Sequence, residues 1–128
     1  LKIYCIDDSA TARRLLYCNL TTRAKTRNVH VFGEDETDMD LFIPASLSNG
    51  DIVILDQHLE YGGDSNILGT DLVKRLVAQG FKGLICMRSG NVAMRDKGEY
   101  FKAGAHCVFG KDVGMKQVCE DMKLAYVR

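Results

Sequence analysis

Apolar residues along this chain come in short unbroken runs, separated by longer stretches where they recur every third or fourth position. Lys2-Ile3-Tyr4-Cys5-Ile6 and Asp51-Ile52-Val53-Ile54-Leu55 are nearly continuous apolar runs. Gly83 to Met87 and Cys107-Val108-Phe109 are others, and Asn28 to Phe32 is a more polar member of the set. Runs of this length without alternation predict strands buried on both faces. Between them, Ala12, Leu16 and Leu20 recur at four-residue spacing behind Asp8 or Ser9, either of which can cap a helix. Leu72, Val73, Leu76 and Val77 form a stripe opposed by Asp71, Lys74 and Arg75, which predicts an amphipathic helix. Met115, Val118, Cys119 and Met122 place apolar groups at i, i+3, i+4 and i+7 of a last helix.

The remaining stretches are less regular. Glu34 to Ser48 reads as a helix with an acidic start, and Pro44 is expected to end or kink it. Asn49-Gly50 is a turn signal. Residues 57 to 69 read as a polar, glycine-containing loop, and Asn91 to Ala103 as a helix with a weak stripe and an internal Gly98. Five strands alternating with five helical segments predict an α/β fold with a parallel sheet and helices on both faces. A length of 128 residues without repeat, low-complexity segment or linker predicts one domain over 1–128.

Composition narrows the function classes. Apolar residues make up 46% and charged residues 27%, the balance of a soluble globular protein. Seventeen basic residues cancel seventeen acidic ones, so no nucleic-acid partner and no direct membrane contact are expected of this domain. No apolar run is long enough to span a bilayer, and no signal-peptide pattern opens the chain. The five cysteines are odd in number and contain no CxxC, which fits a reducing, cytoplasmic setting rather than a disulfide framework.

In parallel α/β sheets, functional groups gather beyond the carboxyl ends of the strands. The first predicted strand runs into Asp7-Asp8, the third into Asp56, the fourth into Ser89-Gly90 and the fifth into Lys111. Taken singly, these are ordinary helix caps, turn formers and solvated charges. Such readings do not explain why all of them fall on one rim. Clustered carboxylates raise one another's pKa unless a cation sits among them, and an all-oxygen set suits a hard ion such as Mg²⁺. A carboxylate can attack phosphorus to give an aspartyl phosphate. Catalysis of phosphoryl transfer is mostly positioning and electrostatics, which a metal, a lysine and a hydroxyl can supply.

These positions, with Phe101-Lys102-Ala103-Gly104-Ala105 ahead of the last strand, resemble the receiver domain of response regulators and hybrid histidine kinases. The likeness runs from Lys2 to about Tyr126. It implies a flavodoxin-like, doubly wound (βα)5 sandwich whose five parallel strands take the order 2-1-3-4-5. It implies that Asp56 accepts phosphate from a histidine kinase or a histidine phosphotransfer protein. Asp8, Asp56 and the backbone carbonyl of His58 would ligate Mg²⁺ (or Mn²⁺), and Asp7 would act through a metal-bound water. Ser89 would hydrogen-bond the phosphoryl oxygens and Lys111 would pair with them. His58 and Asn91, each two residues beyond a site residue, would modulate the attack of water. The start at Leu1 and the lack of an effector segment fit a domain excised from a larger protein such as a hybrid histidine kinase.

The sequence departs from the receiver pattern in four places. The segment after Asp56 is long, and Glu60 stands where a proline is common. Asp112 follows Lys111, where the family has a cis proline. Val108 occupies the place of an aromatic that swings inward on activation, leaving Phe109 or Tyr100 for a related role. His30 and His106 have no metal-ligand partners in the sequence pattern and read as structural. A receiver-like docking module that is never phosphorylated is the alternative. A dehalogenase-like phosphohydrolase lacks its second aspartate, because Gln57-His58 follows Asp56, and no GxGxxG or GxxxxGK[ST] is present.

Overall fold

The computed structural model describes residues 1–62, 66–90 and 92–127. In chain order the elements are β1 (Lys2–Ile6), α1 (Ala10–Arg23), β2 (Asn28–Phe32), α2 (Thr37–Asn49) and β3 (Ile52–Leu55). There follow β4 (His58–Glu60), β5 (Asn66–Leu68), α3 (Gly69–Ala78), β6 (Leu84–Ser89), α4 (Met94–Ala103), β7 (Cys107–Gly110) and α5 (Met115–Tyr126). The main sheet has the order β2-β1-β3-β6-β7, and every pairing in it is parallel. Leaving the β4–β5 pair aside, this is the doubly wound order expected from the sequence.

Strand alternation divides the core in two. Tyr4, Ile6, Val53, Leu55, Ile85 and Met87 face α2, α3 and α4. Ile3, Cys5, Ile52, Ile54, Leu84 and Cys86 face α1 and α5. Because both faces are covered, the central strands have no polar side to show, which is why they read as unbroken apolar runs. The helices bury the stripes expected of them: Leu72, Val73 and Leu76 in α3, and Met115, Val118, Cys119 and Met122 in α5. Ser9 is the N-cap of α1, its side chain accepting a hydrogen bond from the Ala12 N–H.

Two expectations are corrected. Pro44 does not end α2, which runs on to Asn49. Proline deprives the carbonyl four residues earlier, Asp40, of its partner, but both residues lie on the exposed face, where water can replace that bond. The segment after Asp56 is not an irregular loop: β4 and β5 pair antiparallel, with His58 opposite Leu68 and Leu59 opposite Ile67. Leu59 is buried and Ile67 half-buried against the core, so one face of the ribbon is anchored while His58, Glu60 and Leu68 stay exposed. The base of the ribbon is clamped by Gln57. Its carbonyl accepts from the Gly69 N–H at 2.7 Å, its side-chain oxygen from the Thr70 N–H at 2.9 Å, and its amide donates to Thr70 Oγ1 at 3.3 Å.

Boundaries shift elsewhere. α4 starts at Met94 rather than Asn91, and β6 extends to include Ser89. The two structural histidines behave as expected. His106 Nδ1 accepts from the Ile85 N–H at 2.9 Å, and His30 stacks on Tyr4 with ring centroids 4.8 Å apart.

Candidate functional site

The ladder of the sheet continues one step past the strands, and the site residues ride on that step. Asp7 N–H donates to the Phe32 carbonyl at 3.1 Å, Asp56 N–H to Ile6 at 3.0 Å and Lys111 N–H to Ser89 at 2.9 Å. Extended backbone keeps the alternation, so Asp7 and Asp56 rise on the α1/α5 face, in line with Cys5 and Ile54. One carboxylate oxygen from each of Asp7, Asp8 and Asp56 lies within 4.8 Å of the others. Lys111 Nζ bridges two of the three, at 3.1 Å from Asp7 Oδ2 and 3.3 Å from Asp56 Oδ2. Asp7, Asp8, Asp56 and Lys111 thus meet as the sequence pattern requires.

Two glycines let backbone close in around this cluster. At Gly33, just past β2, a Cβ would lie 2.1 Å from the Asp7 carbonyl oxygen. At Gly69, the first residue of α3, a Cβ would lie 2.1 Å from the Asp56 carbonyl oxygen. Any side chain at either place would push a site aspartate out of register. The Gly33 carbonyl also accepts from Arg13 Nη1 at 3.0 Å and from the Tyr61 hydroxyl at 2.9 Å. Arg13 Nη1 reaches the Asp7 carbonyl at 3.0 Å as well, fastening α1 to the end of β1.

Each carboxylate has its own backbone donor. Ser9 N–H donates to Asp7 Oδ1 at 2.9 Å, Gln57 N–H to Asp56 Oδ1 at 2.9 Å, and Glu60 N–H to Asp8 Oδ2 at 3.0 Å. The last bond ties the ribbon to the site. It needs a residue with an N–H, so Glu60 in place of the common proline has a structural use.

The electrostatics follow from burial and crowding. Asp7 is 1% exposed and Asp56 6% exposed. Burial and the neighbouring Asp7 charge push the Asp56 carboxyl up to about 7, against the downward pull of Lys111. Burial acts to lower the Lys111 pKa, but the charges of Asp7 and Asp56 outweigh it and the net shift is upward. The three side chains fit a hard divalent ion in charge, donor type and spacing.

Ser89 is buried at the end of β6, its hydroxyl 3.1 Å from the Tyr100 hydroxyl. Tyr100 is therefore the aromatic that touches the site, through α4. Phe109 packs into the core on the α1/α5 face, and Val108 lies half-buried against the opposite cluster. His58 opens β4 with an exposed side chain, and Asn91 lies outside the described residues. Among the described residues all peptide bonds are trans, including Lys111–Asp112. The Asp112 side chain lies over Gly110, where a Cβ would come within 2.3 Å of its Oδ1. Three contributors were not legible in the sequence: the Glu60 N–H, the Gln57–Thr70 clamp, and Arg88, a buried residue of β6. Arg88 did carry a signal, as an arginine within a strand flanked on both sides by others.

No protein-family model matches the sequence, and none of the curated proteins matches it significantly. Solved structures do match. The chemotaxis protein CheY4 of Vibrio cholerae has a TM-score of 0.77 at 17% identity, over 97% of this chain and 97% of that one. The Francisella response regulator 1452 receiver domain has a TM-score of 0.74 at 19% identity, over 99% and 97% of the two chains. The DrrB receiver domain, solved in its BeF3-activated form, has a TM-score of 0.77 at 16% identity, over 99% and 97%. The fold of this chain is that of response regulator receiver domains.

Proposed function

We propose that residues 1–128 form one phospho-accepting receiver domain in which Asp56 takes a phosphoryl group from a phosphohistidine. The donor is a histidine kinase or a histidine phosphotransfer protein. The observation that carries this reading is the meeting of Asp7, Asp8 and Asp56 within 4.8 Å, bridged by Lys111, at the edge where this fold places its ligands. The free state of all five cysteines supports an intracellular setting, where such donors operate. Among the described residues no helix is long and apolar enough to cross a membrane.

In the transfer, an Asp56 carboxylate oxygen attacks phosphorus and a P–O bond forms. The P–N bond to the donor imidazole breaks, and that nitrogen keeps the electron pair and takes a proton from solvent. Asp56 must be ionised to attack, so the charges that hold it ionised are part of the chemistry. Asp8, Asp56 and the His58 carbonyl would hold Mg²⁺ (or Mn²⁺), with Asp7 acting through a water. A divalent ion held there would supply charge neutralisation for the oxygens of the transferring group. Lys111 exchanges part of its pairing with Asp56 for a phosphoryl oxygen, and the Ser89 hydroxyl donates to another. In hydrolysis a water oxygen attacks phosphorus, the P–O bond to Asp56 breaks and inorganic phosphate leaves. His58 and Asn91 set the rate of that step. A His58→Ala variant with an unchanged dephosphorylation rate rules His58 out of it.

Incubation with Mg²⁺ and acetyl phosphate tests the reading by intact mass. The expected result is one added phosphoryl group, labile to hydroxylamine and absent from Asp56→Asn. A folded, Mg²⁺-binding protein that acquires no adduct from acetyl phosphate or from a phosphohistidine donor is instead a docking module.

A further inference from the structure

Arg88 is the residue before Ser89 in β6 and is only 4% exposed. Its Nε and Nη1 are buried without a hydrogen-bond partner. Among the described residues the ion pairs at this site belong to Lys111, and no carboxylate lies within ion-pair distance of the Arg88 guanidinium. The other residues of β6 on its face are Leu84 and Cys86, both part of an apolar core. A permanently charged guanidinium in that position costs stability in the resting domain, and an apolar side chain of similar length would avoid the cost. A charge held at such a cost finds its use in a state that supplies an anion.

The register says where that anion arrives. Met87 pairs with Leu55, so Arg88 and Asp56 are the next neighbours along two adjacent parallel strands. Leu55 and Met87 share the other face of the sheet, which puts Arg88 and Asp56 together on the α1/α5 face. Arg88 also acts electrostatically on the Cys5 thiol in β1, pulling against the upward shift that burial imposes on it. In the sheet, β3 lies between β6 and β1, so Asp56 stands on the strand between Arg88 and Cys5.

We propose that Arg88 is a second cation for the phosphoryl group, one that turns its guanidinium onto the phosphoryl oxygens once Asp56 is modified. The inference rests on the receiver reading of Asp56. Phosphorylation replaces one carboxylate charge by a group carrying about −1.5 to −2, a gain of roughly one negative charge. Lys111 is already shared between two carboxylates, whereas Arg88 is uncommitted. Its planar fork matches two phosphoryl oxygens at once.

The test uses beryllofluoride with Mg²⁺, which binds an aspartate carboxylate as a phosphoryl mimic, and follows affinity by titration calorimetry and stability by thermal melting. Arg88→Met is expected to melt at or above the wild-type temperature without the mimic and to bind it about tenfold more weakly or worse. Arg88→Lys, which keeps the charge, recovers most of that affinity. If Arg88→Met binds the mimic as the wild type does, the inference fails, and a lowered melting temperature then marks a structural arginine. If Arg88→Lys recovers nothing while melting like the wild type, the loss came from displaced packing and the inference also fails. A wild type that neither binds the mimic nor takes a phosphoryl group overturns the receiver reading and Arg88 with it. A phosphorylated wild type with an indifferent Arg88→Met overturns the inference alone.

Discussion

Single atoms, at the site and away from it, make predictions that single substitutions can check. Ser46 is fully buried in α2 with no partner for its hydroxyl. Ser46→Ala removes that unpaired group, and a gain of about 1 kcal/mol in urea unfolding is expected. Gly69→Ala acts in the opposite direction, since its Cβ would meet the Asp56 carbonyl. A loss of about 2 kcal/mol or more is expected, together with slower phosphorylation at any temperature where the variant is folded. Asp56 itself makes the metal-free domain sensitive to pH. Its carboxyl holds its proton up to about 7 in the folded state, whereas the unfolded chain releases it near pH ~4. Between those values the folded state binds more protons, so this group's contribution is fully present below the unfolded pKa and lost as pH rises through about 7. Asp56→Asn should gain on the wild type as pH is raised from 5 to 8 in chelator, and a constant difference would show that Asp56 ionises normally. The aspartates and Lys111 were legible because each stands immediately after an apolar run. The pairing of Lys111 with two carboxylates was not, because it depends on side-chain reach across three strands.

Regular elements were legible to the degree that burial imposed a period on them. The central strands and the stripes of α3 and α5 announce themselves because one or both faces lie in the core. Pro44 does not end α2, because its cost depends on which face it occupies, and sequence alone does not say that Asp40 and Pro44 face water. The β4–β5 ribbon was hidden for a related reason. It pairs only three residues with three, and only Leu59 and Ile67 show an inward alternation, too short a pattern to separate from a loop. Its tie to the site is testable. The Glu60 N–H points to Asp8 rather than into the ribbon, so Glu60→Pro leaves the pairing intact and deletes only that donor. Mg²⁺ binding should weaken by about 1 kcal/mol, roughly fivefold, as measured by titration calorimetry. An unchanged affinity would mean that Asp8 needs no help from the ribbon to hold its orientation.

For the molecule as a whole, the question is how a change at Asp56 reaches the outside. The hydroxyl pair of Ser89 and Tyr100 joins the site to α4, which carries exposed Met94 and Phe101 on its surface. Tyr100→Phe is expected to lower stability by about 1 kcal/mol. If the domain is phosphorylated as proposed, the substitution should also abolish the change in amide hydrogen exchange over α4 expected in the wild type. An α4 that responds equally in both proteins would place the route elsewhere, along Lys111 and β7. The fold was legible because, the β4–β5 ribbon aside, strands and helices alternate along the chain, whereas this route was not, because it depends on a side-chain contact between β6 and α4. The ribbon, finally, has a consequence for who can reach the aspartate. It stands outside the main sheet on the Asp8 side, with His58, Glu60 and Leu68 exposed and Tyr61 anchored to Gly33. A folded phosphohistidine donor of the kind proposed would meet this ribbon on its way to Asp56, whereas acetyl phosphate is small enough to be indifferent to it. Under the receiver reading proposed above, the exposed edge of the ribbon would be read as a shape by any folded donor, and donors that fit a flatter rim would be disfavoured.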